Sequence, residues 1–103
     1  MAYEVILAPR ALQDLEEIVR YIAMDNPVIA AQFGKGLIEK ARSAGALPRS
    51  GRIVPEFQLA DIRELIAGPY RIVYRVNDPD RSVEIVRFWH AARGTPKSVR
   101  EGD

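Results

Sequence analysis

The spacing of apolar residues changes along this chain, and each change marks an element boundary. Tyr3 to Ala8 (Tyr-Glu-Val-Ile-Leu-Ala) is short, apolar and β-branched and stops at Pro9, which reads as a strand. From Pro9 the period lengthens: Leu12, Leu15, Ile18, Val19 and Ile22 fall three or four apart, the stripe of an amphipathic helix. Pro9 suits the first helical turn, and Asp14, Glu16 and Glu17 lie toward the positive end of the helix dipole. Met24-Asp25-Asn26-Pro27 interrupts the stripe. Asn26 with Pro27 is a restart signal, the amide as N-cap and the proline at the first helical position. A second stripe, Ile29 or Ala30, Phe33, Leu37, Ala41 and Ala44, ends at Gly45, which the pattern offers as a left-handed cap. Gly34 and Gly36 each weaken this helix by about 1 kcal/mol relative to Ala, so both are expected where it approaches the first helix closely. Two helices joined by Asp-Asn-Pro form an antiparallel hairpin.

A break follows. Residues 47 to 58 (Leu-Pro-Arg-Ser-Gly-Arg-Ile-Val-Pro-Glu-Phe-Gln) hold two Pro and a Gly and read as a loop. Then come three strand-like runs: Ile62 to Ile66 before Ala67-Gly68-Pro69, Tyr70 to Val76 before Asn77-Asp78-Pro79-Asp80, and Val83 to Trp89 before His90. Connections this short make antiparallel neighbours, since a parallel return takes a crossover of about a dozen residues. In the middle run Tyr70, Ile72, Tyr74 and Val76 share one face and Arg71, Val73 and Arg75 the other. One face is therefore expected to be core and the other to carry guanidinium groups. This order predicts an α+β domain: an N-terminal strand at a sheet edge and an antiparallel helical hairpin packed on a C-terminal three-stranded antiparallel meander. After Arg93 the chain is too poor in apolar residues to pack, which sets the expected domain at residues 1–93 and a flexible tail at 94–103.

Composition narrows the class. With 103 residues, 48% of them hydrophobic, the chain has the length for one core and not for two. The absence of cysteine removes disulfides, thiolate metal sites and thiol nucleophiles, and a single histidine cannot build a usual catalytic zinc site. No metal or other cofactor is expected. No apolar run approaches the ~18 residues of a membrane span, and Met-Ala-Tyr-Glu lacks the basic and apolar character of a secretory signal. A cytoplasmic protein without a membrane partner is the expectation. The net charge of +1 conceals an asymmetry, because residues 1–48 hold 5 basic and 6 acidic side chains and residues 49–103 hold 10 and 8. All but Lys35, Lys40 and Lys97 of the 15 cations are Arg, whose planar fork suits phosphate or carboxylate.

The candidate chemistry therefore lies in the second half. Arg49 and Arg52 are on the loop, Arg63, Arg71, Arg75 and Arg87 on strands, and His90 and Arg93 beyond the last strand. Strand residues two apart share a face and neighbouring strands lie about 5 Å apart, so several of these groups can converge. Converging Arg with His90 and Glu56 would suit phosphodiester chemistry, the cations stabilising a pentavalent phosphate while His or Glu moves the proton. Against this stands a plainer alternative. A strand Arg usually lies on a solvated face with its stem over apolar surface, the expectation for Arg75 and Arg87. Arg63 with Glu64, and Arg87 with Glu84, are candidate local ion pairs, and His90 suits a structural hydrogen bond as well as proton transfer. Gly34-Lys35-Gly36 is too short for a phosphate loop, and no serine has a Gly-x-Ser-x-Gly context.

Taken as an ordered set, the motifs resemble the RelE/ParE superfamily of bacterial toxins, the toxic partners in type II toxin-antitoxin modules. The resemblance is carried by Ala11-x-x-Asp14-Leu15-x-x-Ile18, Tyr21-Ile22, Asn26-Pro27, Pro48-x-x-Gly51-Arg52, Ile62-Arg63-Glu64-Leu65, Tyr70 through Val76, and His90-Ala91-Ala92-Arg93. It implies a cognate antitoxin as partner in a hetero-oligomer, with Leu12, Leu15, Ile22, Phe33 and Leu37 as candidate contacts. Two mechanisms are implied by different branches. In ParE-like members the fold poisons DNA gyrase and no nuclease activity is expected; Arg63, Arg75 and Arg93 are then candidate contacts to the target or its phosphates. In RelE-like members ribosome-bound mRNA is cut through attack by the ribose 2′-hydroxyl. The resemblance would then give Arg71 the transition-state phosphate and His90 the leaving oxygen, with Arg52 or Glu56 assisting. Gly51-Arg52, Ile62-Arg63-Glu64-Leu65 and His90-x-x-Arg93, with no lysine pair in the loop and no tyrosine at the C-terminal end, favour the ParE-like form. A non-toxic binding domain whose arginines are only surface charge is the remaining reading.

Overall fold

Elements form where the apolar period changes. In the computed structural model, which describes residues 2–94, β1 spans Glu4–Leu7, α1 Pro9–Ala23, α2 Pro27–Ala46, β2 Arg52–Ile53, β3 Ile62–Ala67, β4 Tyr70–Asn77 and β5 Ser82–His90. A short 3-10 turn, Ala91–Arg93, follows. The tail expected at 94–103 lies, past Gly94, outside the described residues. Both helices begin with proline in the first turn, and the Asn26 side chain accepts a hydrogen bond from Ile29 N at 3.1 Å, capping α2.

The sheet has five strands in the order β1-β5-β4-β3-β2. The meander β3-β4-β5 is antiparallel as expected, with β1 at an edge, parallel to β5. The second edge, β2, was expected to be loop; its two residues are too few to show a period. Tight turns join the meander. Gly68 supplies a φ of +56° between β3 and β4, and Asn77 Oδ1 accepts from Asp80 N at 3.2 Å between β4 and β5.

The helices cover one sheet face. Leu15, Ile18, Leu37 and Ala41 pack there against Ile72, Tyr74, Ile85 and Phe88. Leu15 and Leu37 are therefore core residues, which corrects their expected place at a partner surface: inward-facing positions of α1 and α2 have the sheet as their partner. The opposite face, expected to carry the guanidinium groups of Arg71 and Arg75 beside Val73, is also half apolar. Val73 and Val86 join Ile62, Val54 and Phe57 in a second, smaller cluster roofed by the segment after β2.

Two glycines act by close approach. A Cβ on Gly34 would meet Val19 Cγ2 at 2.8 Å, the expected contact of α2 with α1. Gly45 does not cap the helix; it lies inside α2, and a Cβ there would meet Tyr3 O at 2.7 Å, because Tyr3 N donates to the Gly45 carbonyl at 2.8 Å. Gly36, expected at a helix contact, faces open space.

Candidate functional site

The arginines of the second half are held by very different partners. β1 stops at Leu7 opposite Ile85, so the β5 edge beyond has no neighbouring strand on that side. Asp14 of α1 takes that place. Its Oδ2 accepts from Phe88 N at 3.1 Å and from Arg87 Nε at 2.7 Å, and its Oδ1 accepts from Arg87 Nη2 at 2.9 Å. Both side chains are buried, so Arg87 is neither solvated nor held by Glu84 as expected; Glu84 pairs with Arg75 at 3.0 Å. Two charges this deep are tolerable only as a hydrogen-bonded pair. Asp14 accordingly serves the sheet and not the helix dipole.

Arg71 is the centre of the outer face. Its Nε donates to Glu64 Oε1 at 2.5 Å, its Nη1 and Nη2 to the two Glu56 oxygens at 2.9 and 2.8 Å, and Nη1 also to the Gly94 carbonyl at 3.2 Å. Glu64 Oε2 accepts from Arg52 Nε at 2.5 Å across the β2–β3 ladder, where the two residues are direct partners. Among the described residues, Arg52, Glu64, Arg71 and Glu56 thus alternate in charge along one network. Hydrogen bonding to Glu56 raises the Arg71 pKa above its ordinary value, opposed by burial and aided by Glu64. An arginine so saturated has few donors left for a phosphate. Three expected site residues, Arg52, Glu56 and Arg71, do come together, but the buried carboxylate of Glu64, read only as a partner of Arg63, is what joins them. The signal for it was its register opposite Arg52 on the face of Arg71.

Arg63 lies elsewhere. It donates to the carbonyls of Ala60, Arg49 and Gly51 at 3.0, 3.1 and 3.0 Å, tying down the loop before β2. The same loop is fixed by the Tyr74 hydroxyl, which donates to Pro48 O at 2.8 Å and accepts from Gly51 N at 3.0 Å. A Cβ on Gly51 would meet that hydroxyl at 2.5 Å, so the Pro48-x-x-Gly51 motif is a packing requirement.

His90 does not join Arg71. In the β4–β5 ladder Tyr70 faces His90 and Arg71 faces Trp89. Successive strand residues alternate faces, so Tyr70 and His90 lie on the helix side and Arg71 and Trp89 on the outer side. The expected pair for RNA cleavage is divided by the sheet. His90 Nδ1 accepts from Ala92 N at 3.1 Å, and the ring meets Tyr70 edge-on at 5.1 Å. It lines a cleft with Ile18, Tyr21, Tyr70, Phe88 and Arg93. The Arg93 guanidinium lies over the Trp89 ring at 4.2 Å, at the end of β5. Of the remaining expected partner contacts, Leu12 is exposed, and Ile22 and Phe33 are half-buried at the margin of the core. Among the described residues no group of three or more His, Cys, Asp or Glu could hold a metal ion, and no helix is long and apolar enough to cross a membrane.

Comparison with known proteins fits this architecture. Residues 5–94 match the family described as ParE toxin of type II toxin-antitoxin system, parDE. Toxin RelE2 of Caulobacter vibrioides is 38% identical over 91 residues, covering 87% of this chain and 97% of that protein. The toxin-antitoxin complex RelBE2 from Mycobacterium tuberculosis aligns with a TM-score of 0.63 at 27% identity, over 87% of this chain and 99% of the other. The chromosomal ParDE system from P. aeruginosa aligns with a TM-score of 0.71, over 86% and 96%; at 18% identity that likeness speaks to the fold alone. The chain belongs to the ParE toxin family of type II toxin-antitoxin systems, within the RelE/ParE superfamily.

Proposed function

We propose that this toxin acts by binding DNA gyrase in the cytoplasm and trapping it on cleaved DNA, and that a cognate antitoxin neutralises it in a hetero-oligomer. One observation carries the choice of target: Arg71 and His90 are on opposite faces of the sheet, and Arg71 is spent on Glu56 and Glu64. In-line attack of a 2′-hydroxyl on phosphate needs a cation and a proton carrier within a few ångströms of one phosphorus. The ParE family match supports the same direction. The partner proposal is supported by the related RelBE2 structure, which is a complex of toxin and antitoxin. Arg75 and Arg93 stay as candidate target contacts, whereas Arg63 is committed to loop carbonyls.

The experiment is expression from a tightly controlled promoter, alone and with the neighbouring antitoxin gene. Growth arrest with chromosome breakage visible by pulsed-field electrophoresis, relieved by the neighbour, is the expected result. Arrest with an intact chromosome would remove gyrase as the target, and unimpaired growth would remove the toxin assignment for this chain.

A further inference from the structure

The chain holds one tryptophan, and it is fixed at the end of the sheet. Trp89 faces Arg71 across the β4–β5 ladder and is buried. Its indole Nε1 donates to the Gly94 carbonyl at 2.9 Å, the same oxygen that accepts from Arg71 Nη1 at 3.2 Å. Gly94 reaches that position with a φ of +79°, which a side chain would disfavour. The ring meets two guanidinium groups, Arg87 at 4.8 Å and Arg93 at 4.2 Å from its centroid, and Asp14 holds Arg87 in turn. Arg93 is exposed and, among the described residues, has no carboxylate beside it. Stacking on a fixed ring restricts a side chain that otherwise loses much rotamer freedom on binding, so an anion is bound there at lower entropic cost.

The same row continues along the edge of β5 that β1 leaves uncovered. Asp14, which occupies that edge, lies 3.9 Å from Arg10 Nε, and the Arg10 side chain is 46% exposed. Arg10, Asp14, Arg87, Trp89 and Arg93 therefore follow one another by contact, with an exposed guanidinium at each end. Glu17 lines the neighbouring cleft with Arg93 and Asp14, so the three arginines outnumber the two acids there. Two separated cations along one edge suit a ligand whose negative charge repeats, as in a nucleic-acid backbone, better than a single carboxylate.

We propose that Trp89 is a positioning residue, which holds the Arg93 guanidinium so that Arg93 and Arg10 together meet backbone phosphates of the DNA bound to gyrase. The inference rests on the gyrase reading and adds to it the edge of the toxin that reaches the DNA and the chemistry of that contact. Trp89 acts through Arg93 and touches no phosphate itself.

The test measures the concentration of full-length chain that half-maximally traps gyrase on cleaved DNA, between about 50 and 200 mM salt. Arg93→Ala is expected to raise that concentration about tenfold and to lower the slope of its logarithm against log salt by about one. Arg10→Ala should lower the slope by a similar amount, whereas Lys40→Ala, an exposed cation on α2 outside the row, should change neither. Trp89→Leu should raise the concentration about threefold with the slope unchanged, and Trp89→Phe, which keeps a flat ring, should behave as wild type. Arg93→Lys keeps the charge without the flat stack, should match Trp89→Leu, and stands in for it if that variant does not fold. Fluorescence of Trp89 should change in free Arg93→Ala; identical emission would remove the stack. Wild-type concentration and slope in Arg93→Ala overturn the proposal while leaving gyrase as the target. Equal weakening of Arg93→Ala toward gyrase without DNA, read by calorimetry, overturns it in favour of a protein carboxylate. Wild-type behaviour of both folded Trp89→Leu and Arg93→Lys removes the positioning role. No trapping by the wild-type chain removes the gyrase reading itself.

Discussion

The network around Arg71 and the end of β5 around Arg93 each centre on an arginine, yet they prepare that cation for opposite fates. Arg71 is buried, held by two carboxylates and a carbonyl, and belongs to a network in which cations and carboxylates alternate. Arg93 is exposed and lies over the Trp89 ring, with no carboxylate beside it among the described residues. The difference teaches that an arginine's role follows from what already satisfies its donors. A saturated guanidinium holds the fold together, and an ordered but unsatisfied one waits for a partner.

The largest way to disturb this contrast is at the boundary of the two regions, where Asp14 pins Arg87 and the β5 edge. Asp14→Ala leaves a buried guanidinium without its carboxylate and should cost about 3–5 kcal/mol, read as a lowered urea midpoint. Arg71→Ala should cost less, about 1.5–3 kcal/mol, because Glu64 retains Arg52. If Arg71 is structural, that variant at a temperature where it stays folded still poisons gyrase; a folded but inactive Arg71→Ala would move function onto the outer face. Helix glycines sharpen the contrast further. Gly45→Ala drives a methyl into the Tyr3 carbonyl just before β1 and into the Val5 side chain, and should destabilise by about 1–3 kcal/mol. Gly36→Ala, facing open space, should stabilise by about 1 kcal/mol, the opposite sign to Gly45→Ala.

The smallest effect concerns pH. Burial is the largest influence on Tyr74 and raises its pKa above 10.0. The neutral phenol is the form the fold prefers, so its contribution is complete below pH 10.0 and is lost as pH rises through the folded value. Urea midpoints of wild type between about pH 8 and 11 should therefore fall more steeply than those of Tyr74→Phe. Parallel slopes would mean that the phenol is not the group that loosens the loop before β2.

Much of the fold was legible because its signals are local. Pro9, Asn26-Pro27, Gly68 and the Asn77–Asp80 turn each act through backbone geometry within a few residues, and the helix stripes follow from period alone. What could not be read depends on partners far apart in sequence. Asp14 looked like a helix-dipole acid because Arg87, 73 residues away, gives it its purpose. Gly45 looked like a cap because the passage of β1 across α2 is not written in either segment. Arg71, Glu56 and Arg52 were correctly gathered on composition and resemblance. Their meaning reversed once Glu64 was found between them, and His90 was separated from Arg71 by the odd-even parity of one strand pair.

The central claim is that the toxin binds gyrase and does not cut RNA. It is tested most directly by incubating the purified wild-type chain in parallel with gyrase and supercoiled DNA, and with ribosomes translating a defined mRNA. The account predicts cleaved DNA trapped on gyrase and full-length mRNA. Cut mRNA beside unaffected gyrase would contradict it.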